Sequence, residues 1–294
     1  MAALVFSPGA GTAAVHLEND RVVLAVATPH HGGPKSETVF RGETARASGV
    51  FQLVEDNTWL AGAAVAPVEM PPREAAAFLY AQLFRIIGGR RLIRVWNYIP
   101  KINEMTGGEE NYREFNAGRL DAFLSNYGEG FRPRLPAASA LGTQAGGLAL
   151  AFLAGEGEPI HFENPEQVPA CDYPRDYGVQ PPAFARGTRV QIGGETHWFL
   201  AGTASIKGHL TVGQTCAEQL GLTLDNILLM ERTMALPSDV KSAWKVFVRR
   251  PSDIPLCQKV FAATYPGASG STMFLQADIC RSELLVEIEA VYAK

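Results

Sequence analysis

The chain has 294 residues, of which 47% are hydrophobic and 19% charged, with a formal net charge of −4. This length suffices for one large or two ordinary domains with a substantial core. Without a basic excess, the composition predicts neither a nucleic-acid nor a membrane partner, and any anion must be bound by locally placed cations.

The first half of the chain begins with strands and continues with alternating helices and strands. Residues 4 to about 70 contain strand-like runs with turn-rich connections. The apolar period then becomes helical in PREAAAFLYAQLFRIIGG, which has proline in its first turn and ends at glycine. The remainder predicts a strand in RRLIRVWNYIP, a helix in ENYREFNAGRLDAFLSNYG and a strand pair in AASALGTQAGGLALAFLAG.

The second half repeats this order. RGTRVQIGGETHWFLAGTASI predicts a hairpin around Gly193 and Gly194, followed by a helix in LTVGQTCAEQLGLTLDNILLME and a strand in SAWKVFVRR. PSDIPLCQKVFAATYPG predicts a helix that opens on a serine cap, and STMFLQADICR and LLVEIEAVYA predict a final hairpin. We therefore expect an α/β (α+β) fold of two related units, each a mixed sheet with helices packed on one face.

The predicted domains are residues 1–154 and 188–294, joined by a connector at 155–187. The connector lacks clear periodicity but contains proline, tyrosine, phenylalanine and cysteine. Flexible linkers are poorer in such residues, and long ordered loops are often functional. We expect the connector to be ordered and to contribute to an active site.

The closing strand raises a question about two carboxylates. Side chains alternate faces along a strand, so Glu287 and Glu289 lie on one face, about 7 Å apart. The opposite face is apolar. The pattern alone favours a solvated outer face. The alternative is that one of the two glutamates is a buried acid.

The usual cofactor and catalytic motifs are absent from the sequence, which has no GxGxxG, P-loop, GxSxG or HExxH stretch. His30 and His31 are adjacent in a glycine-containing loop, but a metal site there is a weak prediction. We therefore predict no cofactor and no metal.

The four cysteines have no CxxC spacing, which argues against a zinc knuckle or a disulfide framework. Reduced thiols and a cytoplasmic location are expected. The N-terminal stretch predicts no signal peptide, because no basic region precedes its short apolar run. No run of about eighteen apolar residues predicts a membrane span.

Candidate ligand-binding residues occur in the second helix, the connector and a later strand. Tyr112, Asn116 and Arg119 share one helical face, and Arg113 adds a second cation. Paired arginines suit a carboxylate ligand, although the pattern alone favours a solvated face. The other candidates are Tyr173, Tyr177 and Arg186 in the connector, and Thr203, Ser205, Lys207 and His209 along FLAGTASIKGH.

The C-terminal hundred residues resemble the Rid family, the reactive intermediate deaminases. The resemblance lies in CAEQLGLTLDNIL, WKVFVRR, DIPLCQKVFAATYP and the closing VEIEA. Those deaminases hold a substrate carboxylate with an arginine before the last hairpin, but STMFLQADIC contains none. The departure counts against imine or enamine deamination.

A longer resemblance is to the chorismatase family, which removes pyruvate from chorismate. It rests on VWNYIPKINE, ENYREFNAGR, YPRDYG followed by PAFARG, GTASIKGH and ICRSELLVEIE, in that order. The resemblance implies a Rid-like C-terminal domain joined to a related N-terminal one, with chorismate as a small-molecule substrate and no cofactor. Rid-like domains commonly form trimers, so a monomer and a trimer are both open.

The resemblance also implies residue roles. The catalytic acid corresponds to Glu287, and substrate-binding residues correspond to Arg113, Arg119, Arg186 and Tyr173; the strand hydroxyls of Thr203 and Ser205 complete the expected site. Cys280, seven residues before the acid, resembles the branch that makes 3-hydroxybenzoate, with 4-hydroxybenzoate as a further product. The alternatives are hydrolysis of chorismate to a cyclohexadiene diol and a non-catalytic Rid-like protein that binds a small carboxylate.

Overall fold

The computed structural model describes residues 1–9, 11–178 and 180–294. Its α-helices are α1 Pro72–Ile87, α2 Asn111–Tyr127, α3 Cys216–Thr233 and α4 Ile254–Thr264. The strands of the first half are β1 Ala2–Pro8, β2 Ala14–Glu18, β3 Arg21–Val26, β4 His30–Gly32, β5 Glu37–Gly42, β6 Thr44–Ser48, β7 Phe51–Glu55, β8 Trp59–Val65, β9 Arg91–Pro100, β10 Met105–Thr106, β11 Glu109–Glu110, β12 Ala137–Thr143 and β13 Ala149–Gly155. Those of the second half are β14 Ile160–Phe162, β15 Gly187–Ile192, β16 Glu195–Ala204, β17 Ile206–Lys207, β18 Leu210–Thr211, β19 Lys241–Val248, β20 Thr272–Gln276 and β21 Val286–Ala293.

Two of the sheets have the same topology. The first has the order β12-β9-β13-β8-β7, with β6 added at its edge, and the second has the order β20-β19-β21-β16-β15, with β14 and β4 added. In each sheet the first-named pair is parallel and the remaining pairs are antiparallel. The predicted repeat of two related α/β units is therefore confirmed.

The helices of each unit pack on one face of its sheet. Helices α1 and α2 bury their apolar residues against the first sheet, and α3 and α4 do so against the second. Helix α3 begins with a capping box, in which Thr215 and Glu218 each bond the other's backbone N–H. These helices leave the opposite face of each sheet to pack inside the molecule.

A third sheet covers this interior. It has the order β2-β3-β1-β5, and none of these strands belongs to either of the two repeated sheets. Phe6, Leu24 and Phe40 from this sheet pack in one apolar cluster with Tyr98 of the first sheet and Phe247 of the second. The predicted strand-rich start of the chain therefore forms a sheet that packs against the interior faces of both units. The division into domains at 154 and 188 stays a prediction.

Two details of the second half differ from the sequence predictions. The predicted serine cap, Ser252, lies within a 3-10 turn that precedes helix α4. The N-cap is Asp253 instead, and its side chain makes no cap bond. The final strands do not form a hairpin: β20 pairs with β19 in parallel, and β21 lies between β19 and β16. The connection from β20 to β21 therefore passes β19 and carries Cys280 along the end of the sheet.

Across the described ranges, every helix is too short or too polar to span a membrane.

Candidate active site

A cavity of about 210 Å³ lies where the first unit, the connector and the end of the second sheet meet. It contains most of the residues that the sequence singled out: Arg113, Arg119, Tyr173, Arg186, Cys280 and Glu287. Further described residues of its lining include Glu110, Tyr112, Ser139, Tyr177, Phe184, Gly202, Arg281 and Glu283. Residues far apart in sequence therefore converge on one charged site.

Thr203 and Ser205 are buried but do not belong to the described lining of the cavity. The Thr203 hydroxyl donates to the carbonyl of Ala201 at 2.9 Å. The Ser205 hydroxyl donates to the carbonyl of Val212 at 2.5 Å. Both hydroxyls thus fix local backbone, and their role in substrate binding stays a prediction.

Glu287 and Glu289 both lie on the inner face of β21. Only 3% of Glu287 and 2% of Glu289 are exposed. Ile288 and Ala290 point the other way, into the apolar cluster beneath α3 and α4. The alternation expected of a half-solvated strand is present, but the first sheet packs over the carboxylate face. The expectation of a solvated outer face is therefore wrong, because both glutamates are buried.

Glu289 is held by three donors. It accepts hydrogen bonds from Arg94 Nη2 at 2.8 Å, Trp96 Nε1 at 3.0 Å and Lys245 Nζ at 3.0 Å. Burial raises the pKa of this carboxyl, but the charges of Lys245 and Arg94 outweigh burial and hold the pKa below its usual range. Glu289 is therefore a fixed negative charge.

Glu287 lies in a different environment on the same strand. Burial, followed by the negative charge of Glu289, raises the pKa of Glu287 to about 8, against the opposing effects of Arg186 and Arg94. Its Oε2 is 3.9 Å from Cys280 Sγ. Two carboxyls with such different pKa values suit different roles, and Glu287 is the one that carries a proton at neutral pH.

Gly202 makes room for the Glu287 carboxyl. The pairing of β16 with β21 shifts between Leu200 and Thr203, which is a β-bulge. A Cβ atom on Gly202 would lie 2.1 Å from Glu287 Oε1 and 3.3 Å from Ser139 Oγ. Instead, the Gly202 N–H donates to Ser139 Oγ at 2.9 Å. The sequence contains the glycine, but nothing in its pattern reveals the bulge.

Two arginines of the cavity keep hydrogen-bonding capacity. Arg119 is 1% exposed and donates from Nη2 to Asn116 Oδ1 at 2.8 Å. Arg186 donates from Nη2 to the Tyr173 hydroxyl at 2.6 Å. Within the described residues, neither Nε makes a hydrogen bond. Arg186 Nε lies 4.0 Å from Glu163 Oε2, which is an ion pair beyond hydrogen-bond distance. Buried guanidinium groups with unused hydrogen-bond donors favour a bound anion, and a carboxylate fits their fork geometry.

Arg113 lies nearer the rim of the cavity, where its side chain is 37% exposed. It forms ion pairs with Glu109 at 3.4 Å and Glu110 at 3.6 Å. The local carboxylates therefore offset part of its charge, and Arg119 and Arg186 are the more deeply buried cations.

Cys280 presents a protonated thiol beside Glu287. Burial is the first cause, and the charge of Glu287 the second, that raise the pKa of this thiol to about 12. A thiolate nucleophile needs a lowered pKa, usually from nearby cations or a helix N-terminus. Cys280 therefore presents a small, neutral side chain with a weak S–H donor at this position.

Arg281 is a site residue that the sequence interpretation passed over. Its guanidinium lies 4.0 Å from the ring centroid of Tyr177 and 5.2 Å from that of Tyr173. Its Nη1 donates to the carbonyl of His209 at 2.9 Å and to Thr211 Oγ1 at 3.1 Å. Arg281 thereby joins the connector to the β17–β18 hairpin, and its position next to Cys280 was the available signal.

His30 and His31 are not among the described residues that line the cavity. The ring Nε2 of His30 is 2.9 Å from the carbonyl of Pro34, and His31 is exposed. No group of three His, Cys, Asp or Glu side chains in the described ranges is arranged to hold a metal ion.

Known proteins resemble this chain over most of its length. Residues 38–154 match the family described as chorismatase FkbO/Hyg5-like, N-terminal. A 3-hydroxybenzoate synthase of Streptomyces hygroscopicus is 36% identical over 239 residues, covering 74% of this chain and 69% of that protein. A chorismatase of Streptomyces rapamycinicus is 35% identical over 74% of this chain and 69% of its own length. A crystal structure of a chorismatase superimposes with a TM-score of 0.85 at 30% identity, covering 98% of this chain and 92% of that one. This chain belongs to the chorismatase family.

Proposed function

We propose that this protein is an enzyme that converts chorismate to pyruvate and 3-hydroxybenzoate, with Glu287 as the general acid. The observation that carries the proposal is a buried carboxyl, with a pKa of about 8, in an arginine-rich cavity. The relatives named 3-hydroxybenzoate synthase and chorismatase support the same activity.

The cavity suits a substrate with two carboxylates. Chorismate carries one on its ring and one on its enolpyruvyl ether. Arg119 and Arg186 each retain a buried Nε that makes no hydrogen bond within the described residues, and Arg113 lies at the rim. Since the chain as a whole is acidic, with a net charge of −4, these local cations provide the attraction.

The chemistry begins with proton transfer to carbon. Glu287 protonates the methylene carbon of the enol ether, which produces an oxocarbenium ion at the adjacent carbon. Free glutamate has a pKa of about 4.3 and is ionised at neutral pH, so the raised pKa is what keeps this acid available. If water traps the cation and gives its proton back to Glu287, the resulting hemiketal breaks at the bond to the ether oxygen and releases pyruvate and the diol. If the neighbouring ring hydroxyl traps the cation and returns its proton to Glu287, a cyclic ketal forms. The ring carbon then breaks its bond to that hydroxyl oxygen, a ring proton is lost as the ring becomes aromatic, and the remaining hemiketal releases pyruvate and hydroxybenzoate.

The product depends on whether water takes part. Hydroxybenzoate and pyruvate together contain all the atoms of chorismate, whereas the cyclohexadiene diol and pyruvate contain one additional water. The Cys280 sulfur, 3.9 Å from the acid, fills space that a water molecule needs. We infer that it favours the aromatic product, and that some 4-hydroxybenzoate accompanies the 3-isomer.

The test is incubation of the purified protein with chorismate, followed by identification of all products by chromatography and NMR. We expect pyruvate in an amount equal to 3-hydroxybenzoate and 4-hydroxybenzoate together, with the 3-isomer as the main product. Pyruvate with the diol instead would keep the acid chemistry and refute the branch. Thermal stabilisation by chorismate without pyruvate would indicate a carboxylate-binding protein that does no chemistry.

A further inference from the structure

Three buried charged side chains and the half-buried Glu37 form a line between the sheets, outside the described lining of the cavity. Lys245 forms ion pairs with Glu37 and, at 3.0 Å, with Glu289. Glu289 in turn pairs with Arg94 at 2.8 Å. Two cations and two carboxylates balance, so the cluster carries no net charge.

The members of this cluster come from all three sheets. Arg94 is in β9 of the first unit, and Lys245 and Glu289 are in β19 and β21 of the second. Glu37 is in β5 of the third sheet, which has no counterpart in the repeat. The Glu37 side chain is 13% exposed and borders an open cleft, whereas that of Lys245 is 4% exposed.

Two features connect the cluster to the cavity. Glu289 is two residues from Glu287 on the same face of β21. Arg94 Nη2 donates to Ser139 Oγ at 2.6 Å, and Ser139 lines the cavity. A change of charge in the cluster therefore acts on the Glu287 carboxyl through a water-poor interior, where charge interactions are strong.

We propose that Glu37 is a positioning residue for the acid: by neutralising Lys245, it keeps the cluster balanced and so keeps the Glu287 carboxyl protonated. Without Glu37 the cluster has a net positive charge, which stabilises the Glu287 carboxylate. Without Lys245 it has a net negative charge, which destabilises that carboxylate. The proposal rests on the proposed role of Glu287 as the acid.

Charged and titratable groups other than Glu37, Lys245 and Glu289 also lie around Glu287, and the test leaves them unchanged. They are Arg94 of β9, Tyr112 and Arg119 of α2, Arg186 before β15, and Cys280, Arg281 and Glu283 before β21. Two unit charges about 10 Å apart at an effective dielectric constant of about 20 shift a pKa by about one unit. We expect a shift of that size.

The experiment compares Glu37→Gln, Lys245→Met and the double variant. Glutamate labelled with carbon-13 at its side-chain carboxyl reports the titration midpoint of Glu287, assigned by its loss in Glu287→Gln. We expect the midpoint to fall by about one pH unit in Glu37→Gln, rise in Lys245→Met and return towards the wild-type value in the double variant. The pH at which pyruvate release declines should follow the same order.

Glu43→Gln is the matched control, because it changes the net charge equally at an exposed position directly after β5. It should leave the midpoint unchanged. A folded Glu37→Gln protein with the wild-type midpoint would overturn the proposal. If that variant does not fold, Lys245→Met decides, since an unchanged or lowered midpoint there also overturns it.

The carboxyl titration separates this proposal from the proposed function. Midpoints that shift as expected in a protein that releases no pyruvate would support the charge coupling and refute the enzyme. Pyruvate release together with a Glu287 midpoint that is unchanged in Glu37→Gln and Lys245→Met would support the enzyme and refute the charge coupling.

Discussion

The two repeated units contain the same three residues in the corresponding strand, with different results. Leu60–Ala61–Gly62 in β8 pairs with β13 without a shift of register. Leu200–Ala201–Gly202 in β16 contains the bulge opposite β21. A Cβ on Gly62 would meet Leu53 and Phe152 on the helix side, whereas one on Gly202 would meet Glu287 on the inner side. The bulge thus turns a packing glycine into one that gives space to a carboxyl.

The strands opposite these glycines differ in the same way. Strand β13 presents Ala149, Ala151 and Leu153 to the interior, all apolar. Strand β21 presents Glu287 and Glu289 there instead. Both units keep the fold, but among the described residues only the second unit has buried acids, so the chemistry is a property of the site and not of the repeat.

Replacing the acid gives the largest expected effect. Glu287→Gln keeps the shape of the side chain but cannot donate a carboxyl proton, so the rate of pyruvate release should fall by about 10²–10⁴-fold. Initial rates measured by coupled pyruvate detection test this. A folded variant that keeps the wild-type rate would contradict the assignment of the acid.

The same variant reports the cost of burying the carboxyl. Because the pKa of Glu287 is higher in the folded protein, the folded state holds its proton more firmly than the unfolded one. This group therefore makes stability fall as the pH rises from about 4.3, the value of free glutamate, to about 8. Above that window, Glu287→Gln should melt higher than the wild type, by about 2–4 °C for each kcal/mol recovered. Equal melting temperatures at high pH would indicate that Glu287 ionises freely.

The sequence predicted much of this architecture and less of its contacts. The order of strands and helices repeats with apolar periods that are read locally, so the two units were predictable. Three features depend on contacts between distant segments. They are the bulge in β16, the packing of the third sheet against Lys245, and the charged partners of Glu289. Thr203 and Ser205 illustrate the limit, because alternation alone does not say which hydroxyl of a bulged strand reaches a cavity.

Filling the space beside the acid gives the next largest effect. Gly202→Ala adds a methyl group where Glu287 Oε1 lies, so the carboxyl must move. Displacing a catalytic group by about 1 Å lowers rates by up to about 100-fold, and we expect a tenfold or greater loss of kcat. Gly62→Ala is the matched variant in the first unit, where the methyl group meets Leu53 and the backbone of Gln52. It should lower the melting temperature instead, and equal losses of kcat in both variants would contradict the comparison.

Cys280→Ala should change the product more than the rate. The sulfur contributes no charge near neutral pH, because burial and the Glu287 charge raise the pKa of the thiol to about 12. Its removal opens a space beside Glu287, and a water molecule needs only about 10–15 Å³ of such space. Water trapping should then increase, so we expect the diol to rise several-fold relative to hydroxybenzoate while total pyruvate release changes little.

The matched control is Cys171→Ala. Like Cys280, Cys171 is half-buried and packs against the core of the first unit, but it is not in the described lining of the cavity. Its replacement should leave the product ratio unchanged. If Cys280→Ala also leaves the ratio unchanged, the thiol does not exclude water, and the choice of product must come from how the arginines orient the ring. A shift in both variants would point to a general loosening of the protein, because Cys171 does not belong to the described lining of the cavity.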